Sequence, residues 1–194
     1  MTEPQNGPAL TITPDQLEGR TSRYEKRVGD LDGLYSDEDA FGRLRSAKGD
    51  DHLMYHVDEF RPSEAAGDLI TGISTLYPGR VGEEFAMTRG HIHAQHDRTE
   101  IYHCLSGHGL MLMETVEGET VVTEMTPGVV AYVPPSHIHR SVNLGDDDLV
   151  TLFCYPADAG QDYGIIAASH GMRHLAVATD DGWTLRENPA YVPR

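Results

Sequence analysis

Residues 99–155 read TEIYHCLSGHGLMLMETVEGETVVTEMTPGVVAYVPPSHIHRSVNLGDDDLVTLFCY. Short runs of β-branched, aromatic and aliphatic residues alternate here with turn formers. The runs are Thr99 to Leu105, Gly109 to Glu114, Glu119 to Met125, Val129 to Val133, Arg140 to Leu144 and Leu149 to Tyr155. Between them lie Gly107-His108-Gly109, Glu117-Gly118, Pro127-Gly128 and Gly145 followed by Asp146 to Asp148. Glycine, proline and aspartate each supply turn geometries that interrupt a ladder. Runs this short, at this even spacing, are strands of an antiparallel sheet folded on itself.

The same texture continues outward. Leu53 to Phe60, Asp68 to Leu76 and Glu83 to Thr88 precede the quoted stretch, with a turn at Pro78-Gly79, and His174 to Thr179 follows it. About ten short strands predict an all-β barrel or double-sheet jelly roll. One helix is expected near residues 36–47. There Ser36 and Asp39 resemble a capping box with Asp in place of Glu or Gln, and Phe41 and Leu44 share a face. A weaker helical signal runs from Gly164 to His170. The first 30 residues mix turn formers with short apolar pieces, as expected of a segment that wraps the surface or pairs at a sheet edge. Residues 1–20 are read as an N-terminal arm, free to move or to exchange strands, and 21–194 as the single domain.

A chain of 194 residues suits one domain with a real core. No apolar stretch approaches the roughly 20 residues of a membrane helix, and Met1 to Pro14 lacks the basic start and apolar run of a secretory signal. A cytoplasmic protein is expected. The formal net charge of −16 argues against nucleic acid or an anionic membrane as partner. It leaves room for a small phosphorylated molecule, which needs only a local anion site. Lys26 and Lys48 are the only lysines. Cys104 and Cys154 form no CxxC pair and sit in strand-like runs, as reduced thiols would.

The densest chemistry is Gly90-His91-Ile92-His93, with Glu100 seven residues after His93 and His139 thirty-nine residues after Glu100. Strand side chains alternate with period two, so His91 and His93 project to one side and Ile92 to the other. Glu100 begins the next strand, and a hairpin would return its carboxylate to the histidines. His139 would come from a strand across the barrel. Three imidazoles and a carboxylate suit a borderline divalent ion and leave positions open for water or substrate. His96 and His108 fall in turns, and His103 faces opposite to Tyr102. His137 shares a strand face with His139 but follows Pro134-Pro135-Ser136, where the backbone turns.

These segments resemble the two cupin motifs. The first runs from His91 through Glu100 to Gly107 and the second from Gly128 through Pro134 and His139 to Asn143, a spacing that selects His139 over His137. Ser136 stands where glycine is common, and the gap from His93 to Glu100 is longer than the general pattern. That gap, with Thr88-Arg89-Gly90, Asp97-Arg98-Thr99, Tyr132-Val133-Pro134-Pro135, Tyr155-Pro156-Ala157-Asp158-Ala159-Gly160 and Asp162-Tyr163-Gly164, is similar to the cupin-type (archaeal-type) glucose-6-phosphate isomerases over nearly the whole chain.

The resemblance implies a single cupin, a double-stranded β-helix or jelly-roll barrel, with a short N-terminal helix and edge strands. It implies a homodimer that interconverts glucose 6-phosphate and fructose 6-phosphate with one divalent ion per subunit: Fe, Mn, Ni or Zn. Carried onto this chain, the ligands are His91, His93, Glu100 and His139, and the catalytic pair is Glu100 and Tyr102. The substrate-binding residues are Tyr55, Ser74, Thr88, Gly90, Tyr155, Gln161 and Tyr163, of which Ser74, Thr88, Gly90 and Tyr155 lie on the phosphate side. Gln161 stands where the family usually has a substrate-contacting histidine. Glutamine hydrogen-bonds but does not titrate near neutrality. Two alternatives stay open: a cupin dioxygenase using the same ligands with Fe(II), and a non-catalytic sugar-phosphate-binding cupin.

Overall fold

The computed structural model describes residues 9–194. The arm read at 1–20 therefore lies partly outside the described residues. Its remainder forms a small hairpin, β1 (Thr11–Thr13) with β2 (Gln16–Glu18), which lays the fully buried Leu17 against the body.

The domain is all-β. Two sheets carry the barrel. The larger has six antiparallel strands: β3 (Ser22–Arg27), β4 (Leu53–Phe60), β5 (Leu69–Leu76), β8 (Glu100–Ser106), β11 (Val130–Val133) and β13 (Leu149–Pro156), in the order β11-β8-β13-β5-β4-β3. The facing sheet has β9 (Gly109–Thr115) between β10 (Thr120–Met125) and β12 (His137–Asn143). A further sheet closes one side. It is made of β6 (Arg80–Val81), β7 (Glu84–Phe85), β14 (His174–Thr179) and β15 (Gly182–Glu187), in the order β15-β14-β7-β6. Of the run expected as one strand from Glu83 to Thr88, only β7 joins that sheet; beyond it the chain crosses to β12 through a single bridge, Met87 to Val142.

The core lies between the two main sheets. Met111 and Met125 from one side are fully buried, as are Ile70 and Leu76 from the other; Leu110, Leu112 and Ile138 are buried on the opposite face of the three-stranded sheet. At about 1.5–3 kcal/mol for each such side chain, this interior sets the register of every strand beside the site. Among the described residues no helix is long and apolar enough to cross a membrane.

One local expectation is corrected and another is met. The helix α1 (Glu38–Lys48) is capped by Asp37, whose carboxylate accepts from the Ala40 N–H at 2.8 Å, and not by Ser36. Ser36 is drawn away because its N–H and hydroxyl both donate to the buried Glu84 carboxylate, at 2.7 and 2.6 Å. The pairing at a sheet edge expected within the first 30 residues is made by Ser22–Arg27, which forms the edge ladder of the larger sheet. The weak signal after Tyr163 becomes α2 (Gly164–Ala168).

Candidate metal and substrate site

His139 sits inside β12, with its side chain on the face turned to the barrel interior. His91 is its direct neighbour: the two backbones exchange hydrogen bonds of 3.1 and 2.9 Å. His91 and Ile92 make only single bridges, the second to Asp162, so the H-x-H segment is not part of a longer strand. Period two still holds. Ile92 is buried on the far side, while the His91 and His93 rings lie 5.6 Å apart.

The hairpin expected between His93 and Glu100 is absent. Residues 94–99 form a loop tied to other parts of the chain: Gln95 N–H donates to Ala159 O at 2.8 Å, and Ser136 N–H to His96 O at 2.7 Å. Arg98 makes a two-pronged pair with Asp158 at 2.9 and 2.6 Å, and its own carbonyl takes the His93 Nδ1–H at 3.1 Å. The long gap thus builds the carbonyl that fixes the His93 ring. Likewise His139 Nδ1 meets the His137 carbonyl at 3.1 Å. Such partners orient an imidazole so that Nε2 faces an ion. His139 is thus adjacent to His91 in one sheet and lies across the interior from Glu100 in the other, as the barrel reading required.

The four donor atoms of His91, His93, Glu100 and His139 lie within 4.8 Å of one another, all on buried residues. Glu100 Oε2 is 2.9 Å from His139 Nε2 and 3.2 Å from His93 Nε2. Burial would raise the Glu100 carboxyl, but contacts with His139 and His93 outweigh it and hold it down at about 2. Burial pushes His91 well below the usual imidazole range, with His139 adding to the effect. For His93, burial is overcome by the Glu100 contacts and the pKa rises. His91 Nε2 is buried with no hydrogen-bond partner. A buried imidazole nitrogen without a partner is costly, and a divalent cation would satisfy it. The residues therefore fit such an ion.

One cavity opens from this cluster. Tyr55, Ser74, Thr88, Gly90, His91, Glu100, Tyr102, His139, Tyr155, Gln161 and Tyr163 all contribute to its wall. Every residue named from the sequence is thus brought to one place, His93 through the donor cluster. The Tyr55 hydroxyl accepts from the Arg89 N–H at 3.3 Å, and the Thr88 hydroxyl from the Ser141 N–H at 3.0 Å, which together set the turn at residues 88–90. Gly90 has φ +74°, and a Cβ there would come within 2.9 Å of His139 O. Only glycine fits so tight an approach at positive φ. Burial and the neighbouring Glu100 raise the Tyr102 phenol well above its ordinary value, so it stays protonated. Tyr163 donates to the Gln161 side-chain oxygen and lies under the Arg89 guanidinium, 5.4 Å from ring centre to carbon.

Sequence reasoning missed several wall residues. Tyr24 and Lys26 come from the edge strand, whose charged alternation hid its pairing. Glu59 also lines the cavity; Arg61 bridges it at 3.3 Å and donates to the Tyr155 hydroxyl at 3.1 Å. Arg140 is buried behind the turn, with donors on the Met87 sulfur at 2.8 Å and the Arg89 carbonyl at 3.0 Å. Burial lowers it to about 10.

The sequence model of the family described as Glucose-6-phosphate isomerase (GPI) matches residues 25–194. This chain belongs to that family. A Rhizobium meliloti relative is 54% identical over 95% of this chain and 86% of its own length. The glucose-6-phosphate isomerase of Sinorhizobium medicae is 49% identical over 92% of this chain and 83% of its own. That of Thermococcus litoralis is 41% identical over 86% of each. Among solved structures, oxalate oxidase with the substrate analogue glycolate matches with a TM-score of 0.48 at 16% identity, over 57% of this chain and 55% of the other.

Proposed function

We propose that this protein is a metal-dependent aldose–ketose isomerase that interconverts glucose 6-phosphate and fructose 6-phosphate in the cytoplasm, a step shared by glycolysis and gluconeogenesis. The observation that carries the reading is the convergence of His91, His93, Glu100 and His139 at the wall of a cavity rich in hydroxyls, in a chain of this family. One divalent ion per subunit, from Fe(II), Mn(II), Ni(II) and Zn(II), supplies Lewis-acid polarisation of sugar oxygens when bound there.

The chain's own groups do the rest. Ser74 and Thr88 hydroxyls and the Gly90 N–H take the phosphate oxygens; none of these carries charge, so each contributes through direction. Tyr155, read from the sequence on the phosphate side, has its ring 5.8 Å from that of His93 and meets the sugar at the donor end. Gln161 and Tyr163 position the sugar. Tyr102, held protonated, donates a hydrogen bond to a sugar oxygen. Glu100, held ionised, accepts a proton moving between C1 and C2. A relay of that kind places deuterium at C2 of the aldose formed in D2O, whereas direct hydrogen transfer does not. A homodimer belongs to the same reading.

The test is turnover of glucose 6-phosphate on metal-stripped protein before and after each ion is added. Restoration by one or more ions, with His91→Ala and His139→Ala inactive, is expected. No turnover with any ion, in folded protein that still binds the sugar phosphate, overturns catalysis and leaves a binding module, the alternative that Gln161 favours.

A further inference from the structure

The inward residues of the six-stranded sheet form rows across the strands. Tyr102, Phe153, Gly72 and Glu59 make one row. Thr151, Ser74, Val57 and Tyr24 make the next. Leu76, Tyr55 and Lys26 make a third. Successive rows are two residues apart, about 7 Å along the strands. Glu100 lies two residues before Tyr102, so the metal donors stand at one end of this series. Ser74 stands near the other, and Lys26 lies beyond it. A hexose phosphate with its first carbons at the donors therefore extends its phosphate toward Ser74 and Lys26.

The cavity needs a cation there. Apart from its tyrosines, its ionisable wall groups are Lys26, Glu59, His91, Glu100, His139 and Arg140. Glu59 is bridged by Arg61, and Arg140 turns its guanidinium to Met87 and the Arg89 carbonyl. Lys26 has no carboxylate within ion-pair distance among the described residues. The register then shifts: Lys26 opposes Tyr55 but Arg27 opposes Leu53, a β-bulge immediately after the lysine. Bulges beside sites re-aim side chains. In a chain of net charge −16 with only two lysines, one of them lines this cavity.

We infer that Lys26 is the counter-charge for the substrate's phosphate, a specificity residue supplied by the edge strand and acting with Ser74, Thr88 and the Gly90 N–H. The inference rests on the sugar-phosphate reading of the site. Its place at the end far from the donors assigns it to affinity and leaves the chemical step to others. The ammonium makes charge-assisted hydrogen bonds to phosphate oxygens, weakened by salt.

Glucose 6-phosphate and inorganic phosphate are titrated calorimetrically into metal-loaded wild-type protein, Lys26→Gln and Lys26→Arg, with kcat and KM measured alongside. Lys26→Gln is expected to bind glucose 6-phosphate about 10- to 100-fold more weakly. Its kcat and metal content should be near those of wild type, and the salt dependence of its affinity reduced; Lys26→Arg restores binding to within a few-fold. Unchanged affinity in Lys26→Gln overturns the inference even if the wild type isomerises. A wild type that binds but does not turn over, with the Lys26→Gln loss intact, removes the isomerase reading and upholds the lysine. Binding to none of the three proteins overturns both.

Discussion

Individual residues here do work that their neighbours in the fold dictate. Gln161 accepts the Tyr163 hydroxyl, and both line the cavity. A glutamine carries no proton that pH can remove, so this contact is constant across the neutral range. Gln161→His introduces a group that titrates near 6.5, beside the substrate. The expected outcome is a new limb in the pH profile of kcat/KM near that value, measured from pH 5.5 to 8.5 and absent from the wild type. Identical profiles would mean that position 161 does not meet the substrate in the transition state. Ser136 shows the opposite relation between residue and backbone. It has φ +61°, a region that favours glycine, which accounts for the glycine common there in cupins. Its N–H and hydroxyl both donate to the His96 carbonyl, so the turn that precedes His139 is tied to the loop that follows His93.

At the scale of elements, the loop from residue 94 to 99 connects two ligands and takes its shape from the block at residues 155–160. Arg98 is the link, because the pair with Asp158 fixes the loop while the Arg98 carbonyl holds the His93 ring. Arg98→Ala keeps every ligand but frees that carbonyl. Loss of such an outer partner typically lowers metal affinity by about 10- to 100-fold. The expected result is weaker binding by metal titration, recovered in activity assays at high metal concentration; unchanged metal affinity would reduce the Arg98–Asp158 pair to a surface tie. Much of this architecture was legible beforehand. Leu53–Phe60 and His174–Thr179 coincide with strands as read, because alternation and turn residues both mark them. The His91, His93, Glu100 and His139 set was legible from parity and motif spacing. The expected hairpin was not, since periodicity describes strands and the 94–99 segment is shaped by contacts distant in sequence. The ladder of Ser22–Arg27 was obscure for a related reason: SRYEKR is dominated by charged residues, and only the inward Tyr24 and Lys26 reveal that one of its faces lines the cavity. Ser36 was misread as a cap because Glu84, which captures it, is 48 residues away.

At the scale of the whole molecule, charge and apolar surface pull in opposite directions. Ile101, Val130 and Tyr132 lie on the outer face of β8 and β11, with Ile101 directly opposite Tyr132, and all three are exposed, Val130 and Tyr132 by more than half. An edge strand bearing such residues invites pairing or stacking with another sheet. A second copy covering this row would bury it and make the proposed homodimer. The net charge of −16 opposes association of two identical copies. That repulsion reaches far at low ionic strength, where the screening length is about 30 Å at 0.01 M, and falls away at about 8 Å in 0.15 M salt. Hydrophobic burial does not weaken over that range. The dimer is therefore expected to tighten as sodium chloride rises from 0.01 to 0.15 M, read as sedimentation equilibrium over a concentration series. Tyr132→Asp adds a charge to the centre of the row and should shift the population to monomer at both salt levels, without loss of metal binding, since the donor cluster faces the other side of the sheet. A dimer indifferent to Tyr132→Asp would place the interface on another surface, and a monomer at every salt concentration would remove the homodimer from the functional reading altogether.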